Sequence, residues 1–411
     1  MKYFVALTLV AFSVLSHAKT LQVGKNFPYK TIKEALAASE NSDTLIINPG
    51  LYREGNIVIE KAVSIIGVNL PIIDGEHKYE VISVKSSNVL VKGLKVINSG
   101  IATLEDPCGI KVYQSENVTI RENVLIDNFF AIYLMSSINC TVEQNYVSAS
   151  ATEEQAIGNG IHCWKSKDLK IINNFIKGHR DGIYFEFVTH SVIWRNISKR
   201  NLRYGLHFMF SNDDSYIGNV FEENGAGVAV MYTKHVKMFN NVFRENWGDA
   251  AYGLLLKEIS DSQIQNNKFT NNTTGILIEG SSRIQMSQSE LKSNGWGIKI
   301  SASCEDINLT QNNFLSNTFD IATNGSLVLN NFDGNYWDKY EGYDLNRNGI
   351  GDVPYHPLSL FSVIVENNNS AMLLFRSTMT SLLDRSEKMI PSLTPSNFVD
   401  NQPCMHSIGY D

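Results

Sequence analysis

Gly205-Leu206-His207-Phe208-Met209-Phe210-Ser211 and, one unit later, Gly227-Val228-Ala229-Val230-Met231 decide how this chain is read. In both, apolar residues fall at every second place, the pattern of a strand with one face turned inward. Each segment is followed at a fixed offset by an asparagine (Asn219, Asn241) and, a little later, by another (Asn224, Asn246). Working outward, equivalent segments start at Gly109, Ala131, Gly160, Gly182, Gly205, Gly227, Gly253, Gly275, Gly297 and Asp320. Most of the intervals are 22 or 23 residues, with insertions ahead of Gly160 and Gly253. A period held that closely over so many units marks a solenoid.

The internal register is tighter than the period. One asparagine series runs Asn123, Asn145, Asn174, Asn196, Asn219, Asn241 and Asn267 before Ser289 interrupts it. A second runs Asn128, Asn201, Asn224, Asn246, Asn272 and Asn294. Between them lies an apolar series, Leu125, Val147, Ile176, Phe221, Phe243, Phe269 and Leu291. If one coil stacks on the next about 4.8 Å away, equal residues lie over one another. Asparagine amides then bond up and down the stack, and asparagine also tolerates left-handed turns. Neither the leucine-rich frame nor helical 3.6-residue periodicity is present. The expectation is an all-β, right-handed parallel β-helix with coils of about 22 residues.

The flanks complete the plan. Residues 1–18 read as a signal peptide, with Lys2, an apolar run and Ser16-His17-Ala18 as cleavage site. Residues 19–340 hold the β-helix, opened by a short amphipathic helix near Thr31–Leu36 that caps the stack. Residues 341–411 form a loop and an amphipathic tail in which Met372, Phe375, Met379, Leu382 and Leu383 follow helical spacing, as a docking helix would. A net charge of −7, from 35 basic and 42 acidic residues, argues against nucleic acid as a partner. Five cysteines lack any metal-ligand spacing and read as core or turn residues, and Cys404-Met405-His406 reads as a chance cluster.

Three constellations carry possible chemistry. His162, Tyr184 and His207 recur at one outward place, and Trp164, Glu186, Met209 and Met231 at the next. Stacking sets His207, Met209 and Met231 on one face, where imidazole and thioether donors suit copper(I). Asp344, Asn346, Asn348 and Asp352 follow the first half of a calcium loop, although Tyr355 stands where the bidentate glutamate belongs. For a carbohydrate-active or glycan-binding β-helix, the competing expectation, the candidates are a carboxylate pair at Asp213-Asp214 and an acid–clamp–base set at His179-Arg180-Asp181. No such acid–base set is expected to line up along one strand face.

The segment Tyr204-Gly205-Leu206-His207-Phe208-Met209-Phe210-Ser211 resembles the Y-G-L-H-x-M-x-S stretch of the NosD family. The similarity continues through Met231-Tyr232, Phe332 to Asp338, Asp344 to Pro357, Leu360 to Glu366 and Pro391 to Pro395, and so covers nearly the whole mature chain. The resemblance implies a periplasmic, non-catalytic protein working with an inner-membrane ABC permease and its ATPase. It implies a copper chaperone as donor, support of copper-centre assembly in nitrous oxide reductase, and a C-terminal part that contacts the permease. It leaves open whether copper or sulfur is the transported species.

Overall fold

The chain folds into three parallel sheets wound around a common core. The computed structural model describes residues 18–101, 106–325, 329–374, 377–389 and 398–409; the signal-peptide segment 1–17 and Phe375 lie outside them. One coil shows the plan. Tyr204–Met209 lies in sheet II, Ser215–Ile217 in sheet I and Val220–Glu222 in sheet III, and the next coil repeats this with Ala226–Met231, Lys237–Phe239 and Val242–Arg244. Among the described residues, sheets I and III have 13 strands each and sheet II has 12, and in each sheet a strand pairs with its equivalent one coil away. This is the all-β, right-handed parallel β-helix expected from the repeat.

The core follows from strand alternation. Leu206 and Phe208, Val228 and Val230, and Leu254 and Leu256 are fully buried on the inner side of sheet II. Under sheet III, Phe221, Phe243 and Phe269 stack with ring centroids 5.5 and 4.6 Å apart. Stacked rings at successive coils fill the axis, which is what a narrow solenoid needs.

The asparagine series form two ladders at the corners. At the corner between sheets I and III, Asn196 Nδ2 donates to Asn219 Oδ1 at 3.0 Å, and Asn219 Nδ2 to Asn241 Oδ1 at 3.0 Å. The same oxygens also accept the backbone N–H of the residue below. Ser289 keeps the chain of bonds unbroken, accepting from Asn267 N and donating its own N–H to Asn312. At the corner between sheets III and II, Asn201, Asn224, Asn246, Asn272, Asn294 and Asn317 do likewise. The left-handed residue is not the ladder asparagine. It is the residue before it, as at Arg195 (φ 54°), Gly218 (φ 63°) and Asn240 (φ 58°). Buried amide bonding, rather than turn tolerance, therefore selects asparagine at these places.

Both ends of the stack are closed. Helix α1 (Ile32–Ala38) covers the first coils through Ile32, Ala35 and Leu36. Its N-terminus carries a Thr31–Glu34 capping box, and the Glu54 carboxylate accepts the N–H of Ile32 and of Lys33. Lys61 Nζ donates to the carbonyls of Leu36, Ala37 and Ser39 at its other end.

The far end is closed by the C-terminus, not by the aromatic Tyr336–Tyr340 turn alone. Phe398 is buried against Phe332. The buried Asp400 carboxylate accepts the N–H of Gly334 and of Asn335, the indole N–H of Trp337 and the N–H of Gln402. Asp400 is thus the last rung of the first ladder, supplied from about sixty residues downstream of the last coil. The tail is consequently not one free arm. Helices α2 (Leu360–Asn367) and α3 (Thr378–Met389) project between two anchored bases, Leu358 and Phe398, both buried. Phe361 of α2 packs on Phe319, and Glu366 pairs with Lys299 at 2.8 Å.

Candidate functional site

Sheet II turns its outer face toward a set of side chains that do not repeat. Strand register places Lys111, Tyr133, His162, Tyr184, His207 and Ala229 in one column. Beside it run Met135, Trp164, Glu186, Met209, Met231 and Lys257. Lys111 and Tyr133 hold the same offset within their coils as His162, so the repeat alone was enough to find them. Lys111 is nearly buried, with its ammonium 4.8 Å from the Tyr133 ring centroid and 3.9 Å from Glu80.

His207 is the centre of the face. Its imidazole is 6 % exposed, enclosed by the rings of Tyr184 and Tyr204 at 4.7 and 4.9 Å. Asp181, on the coil below, binds Arg203 through both oxygens at 2.9 and 2.7 Å. The same guanidinium stands 3.2 Å from His207 Nδ1, and Asp181 Oδ2 stands 3.6 Å from it. Burial works against ionisation of Asp181, yet the proximity of His207 and the bonds with Arg203 leave the carboxyl below its ordinary value. An acid, a base and a cation thus meet across two coils, at a corner rather than along one strand face. Neither Asp181 nor Arg203 falls on the outward strand places, since both precede their glycines, so an offset search confined to the strand passes over them.

His207 Nε2 is buried without a partner. On the same strand, Met209 accepts a hydrogen bond at Sδ from the Tyr184 hydroxyl at 3.6 Å. Met231 pairs with Met209 in register and is half-buried against the cluster of Ala226, Ala229, Tyr252 and Leu255. An imidazole nitrogen without a partner and two thioethers on neighbouring strands form a donor set that fits copper(I). A carboxylate behind the other ring nitrogen is the usual support of a metal-binding histidine.

The other sequence candidates divide. His162 Nδ1 lies 3.3 Å from the Asn159 amide nitrogen, and burial, with Arg180 adding to it, lowers the imidazole pKa to about 3. The His179 ring makes no hydrogen bond to Arg180 or Asp181. It points into the core with neither ring nitrogen bonded, and burial lowers its pKa to about 4. Asp213 and Asp214 do not form a carboxylate pair at the surface. Asp213 pairs outward with His235 at 2.9 Å, whereas Asp214 is fully buried, accepts Ser191 N–H and is pushed above its ordinary value by desolvation.

In the 344–352 loop, Asp344 accepts the N–H of Asn348 and of Gly349, Asn346 that of Asn348, Asn348 that of Ile350, and Asp352 that of Leu345. These oxygens already stitch the turn, and Tyr355 packs on Trp337 rather than facing the loop as a ligand would. In the C-terminal arm, Met379 and Leu382 are exposed at 56 and 60 %, Leu383 turns toward Phe361 and Val365, and Met372 lies in the Asn369–Leu374 turn. All five cysteines are free thiols; Cys108, Cys140, Cys163 and Cys304 are buried, and Cys404 is part of the end cap.

Residues 149–342 match the family described as periplasmic copper-binding protein (NosD), and residues 46–176 match the right-handed β-helix region. The chain is 25 % identical over 370 residues to the probable ABC transporter binding protein NosD of Pseudomonas aeruginosa, covering 85 % of this chain and 86 % of that one. It is 24 % identical over 401 residues to the protein of the same name from Stutzerimonas stutzeri, covering 90 and 91 %. Among solved structures it is similar to the catalytic unit of the GH87 α-1,3-glucanase of Streptomyces thermodiastaticus, with a TM-score of 0.61 and 14 % identity over 74 % of this chain and 65 % of that one. It is also similar to tailspike protein 3 of bacteriophage CBA120, with a TM-score of 0.55 and 13 % identity over 79 and 62 %. These structural likenesses show the fold alone. Through its central coils the chain is thus similar to the NosD family, and over most of its length it is similar, at about a quarter identity, to both NosD relatives.

Proposed function

We propose that this protein is a periplasmic, non-catalytic component of an ABC transporter complex that supports copper-centre assembly in nitrous oxide reductase, with copper(I) held transiently by His207, Met209 and Met231. The observation that carries the reading is the donor set itself: an unpartnered His207 Nε2 and two thioethers on adjoining strands of one sheet. The family's description as copper-binding, and the relatives' names as transporter binding proteins, support the role. The partners in this reading are an inner-membrane permease with its ATPase, a copper chaperone as donor and the reductase as recipient. The permease docks on the arm around Met379 and Leu382, which holds the protein at the inner membrane.

Titration of the mature protein with copper(I) against a competing chelator tests the site. Replacing His207, Met209 and Met231 together by alanine is expected to abolish competition, and an unchanged affinity would disprove the assignment. Docking is tested by Met379→Glu with Leu382→Glu rather than by truncation, because removing residues 398–408 would uncap the last coil. Retention of the permease by that double variant would remove the arm from the reading.

The glycan-active alternative has less support. It requires a free base beside an acid, yet Asp214 is enclosed and Asp181 spends both oxygens on Arg203. Turnover of a uronic-acid polymer that Asp181→Asn abolishes would reinstate it.

A further inference from the structure

We propose that Arg203 and Asp181 decide which ring nitrogen of His207 is open to a cation: Arg203 holds the imidazole in a closed tautomer, and Asp181 accepts a hydrogen bond from Nδ1–H when copper(I) arrives. The proposal rests on the copper reading above and names its control.

A guanidinium has donors only. Arg203 Nη2 lies 3.2 Å from His207 Nδ1, so Nδ1 offers it a lone pair and the ring proton sits on Nε2. That proton occupies the nitrogen that no protein atom satisfies. Asp181 Oδ2, at 3.6 Å from Nδ1, is a few tenths of an ångström beyond a hydrogen bond. Loading moves one proton from Nε2 to Nδ1, where it is donated to Asp181, and the freed Nε2 lone pair binds copper(I). No proton is released and no electron moves. The incoming cation repels Arg203, so binding and opening favour each other.

His162 shows what the control consists of. Its Nδ1 faces the Asn159 amide nitrogen at 3.3 Å, and Arg180 fixes that amide by donating to Asn159 Oδ1 at 3.2 Å. It therefore adopts the same tautomer, with its Nε2 equally unpartnered. Among the described residues no carboxylate is ion-paired with it. His162 thus has nothing to receive a relocated proton, and it is a fixed donor rather than a ligand.

Long-range proton–nitrogen correlation spectra of the 15N-labelled mature chain read the tautomer of each histidine directly. The expected result is His207 with Nε2–H in copper-free protein and Nδ1–H after one equivalent of copper(I), with His162 unchanged. Asp181→Asn is expected to weaken copper(I) by about 10- to 100-fold, the usual effect of removing such a support. Arg203→Lys, which keeps Asp181 paired through a single ammonium, is expected to tighten it by about tenfold, the equivalent of one hydrogen bond from a charged donor. His162→Ala is expected to leave the affinity unchanged. Finding Nδ1–H on His207 before copper is added would overturn the switch and leave the copper site standing. Signals of His207 that copper(I) does not move would overturn the site and the switch together.

Discussion

The inside of this solenoid and the outer face of sheet II are built from the same strands, yet they obey opposite rules. Inside, each coil repeats its neighbour: Asn196 meets Asn219 and Asn219 meets Asn241, and Phe221 lies on Phe243. Outside, Lys111, Tyr133, His162, Tyr184, His207 and Ala229 share one column, and each differs in kind from its neighbours. A buried polar group must find its partner on the adjacent coil, so identity propagates along the axis. An outward side chain can pair sideways with residues outside the repeat, as His207 does with Arg203, and so is not bound to match its neighbour. Departures from repetition therefore mean different things in the two places. Outside they carry chemistry; inside, as at His179 and Asp214, they are flaws in the stack.

Breaking a rung should have the largest effect. Asp400→Ala strands four donors of the end cap, and a loss of at least about 3 kcal/mol is expected in urea unfolding. A smaller loss would mean that the C-terminal segment is an ornament on a stack that closes itself.

Repairing the two inner flaws should sharpen the contrast. Asp214 is held above its ordinary carboxylate value of 3.8 by burial, so the folded state keeps a proton that the unfolded chain sheds. Its stability is full below that value and falls as pH rises toward the folded pKa. Asp214→Asn is expected to remove that slope and to add about 1–2 kcal/mol at neutral pH. His179 slopes the other way. Its folded pKa of about 4 lies below the ordinary 6.5, so stability is full above 6.5 and is lost as pH falls toward 4. His179→Asn restores the amide rung beneath Asn201 and is expected to gain about 1 kcal/mol and flatten the acid limb. Thermal melts across pH 4–8 follow both variants, and destabilisation by either would refute the ladder account.

The smallest stability change belongs to the outer face. Met231→Leu conserves volume and should cost less than about 1.5 kcal/mol, while copper(I) affinity falls. Equal affinity with equal stability would reduce the face to packing.

The repeat made most of the fold legible. The asparagine offsets predicted both ladders, and the alternation placed His207, Met209 and Met231 on one face. Asp181 was legible only as a member of His179-Arg180-Asp181 and Arg203 not at all, because their pairing with His207 depends on a corner where chain from neighbouring coils converges, and no linear offset marks it. Asp400 was hidden for a related reason. It completes a ladder from the far side of a helical arm, and nothing in Phe398–Ile408 resembles a coil.

From the residues alone came the period, the inward and outward sides of each strand and the soft donors, because stacking at a fixed spacing turns a linear offset into a spatial neighbour. Only the tertiary structure decided which of those donors lacks a partner, which carboxylate and guanidinium stand behind His207, and what seals the last coil. Those outcomes depend on where side chains from different coils and from the returning C-terminus meet, and a repeat leaves such non-periodic contacts undetermined.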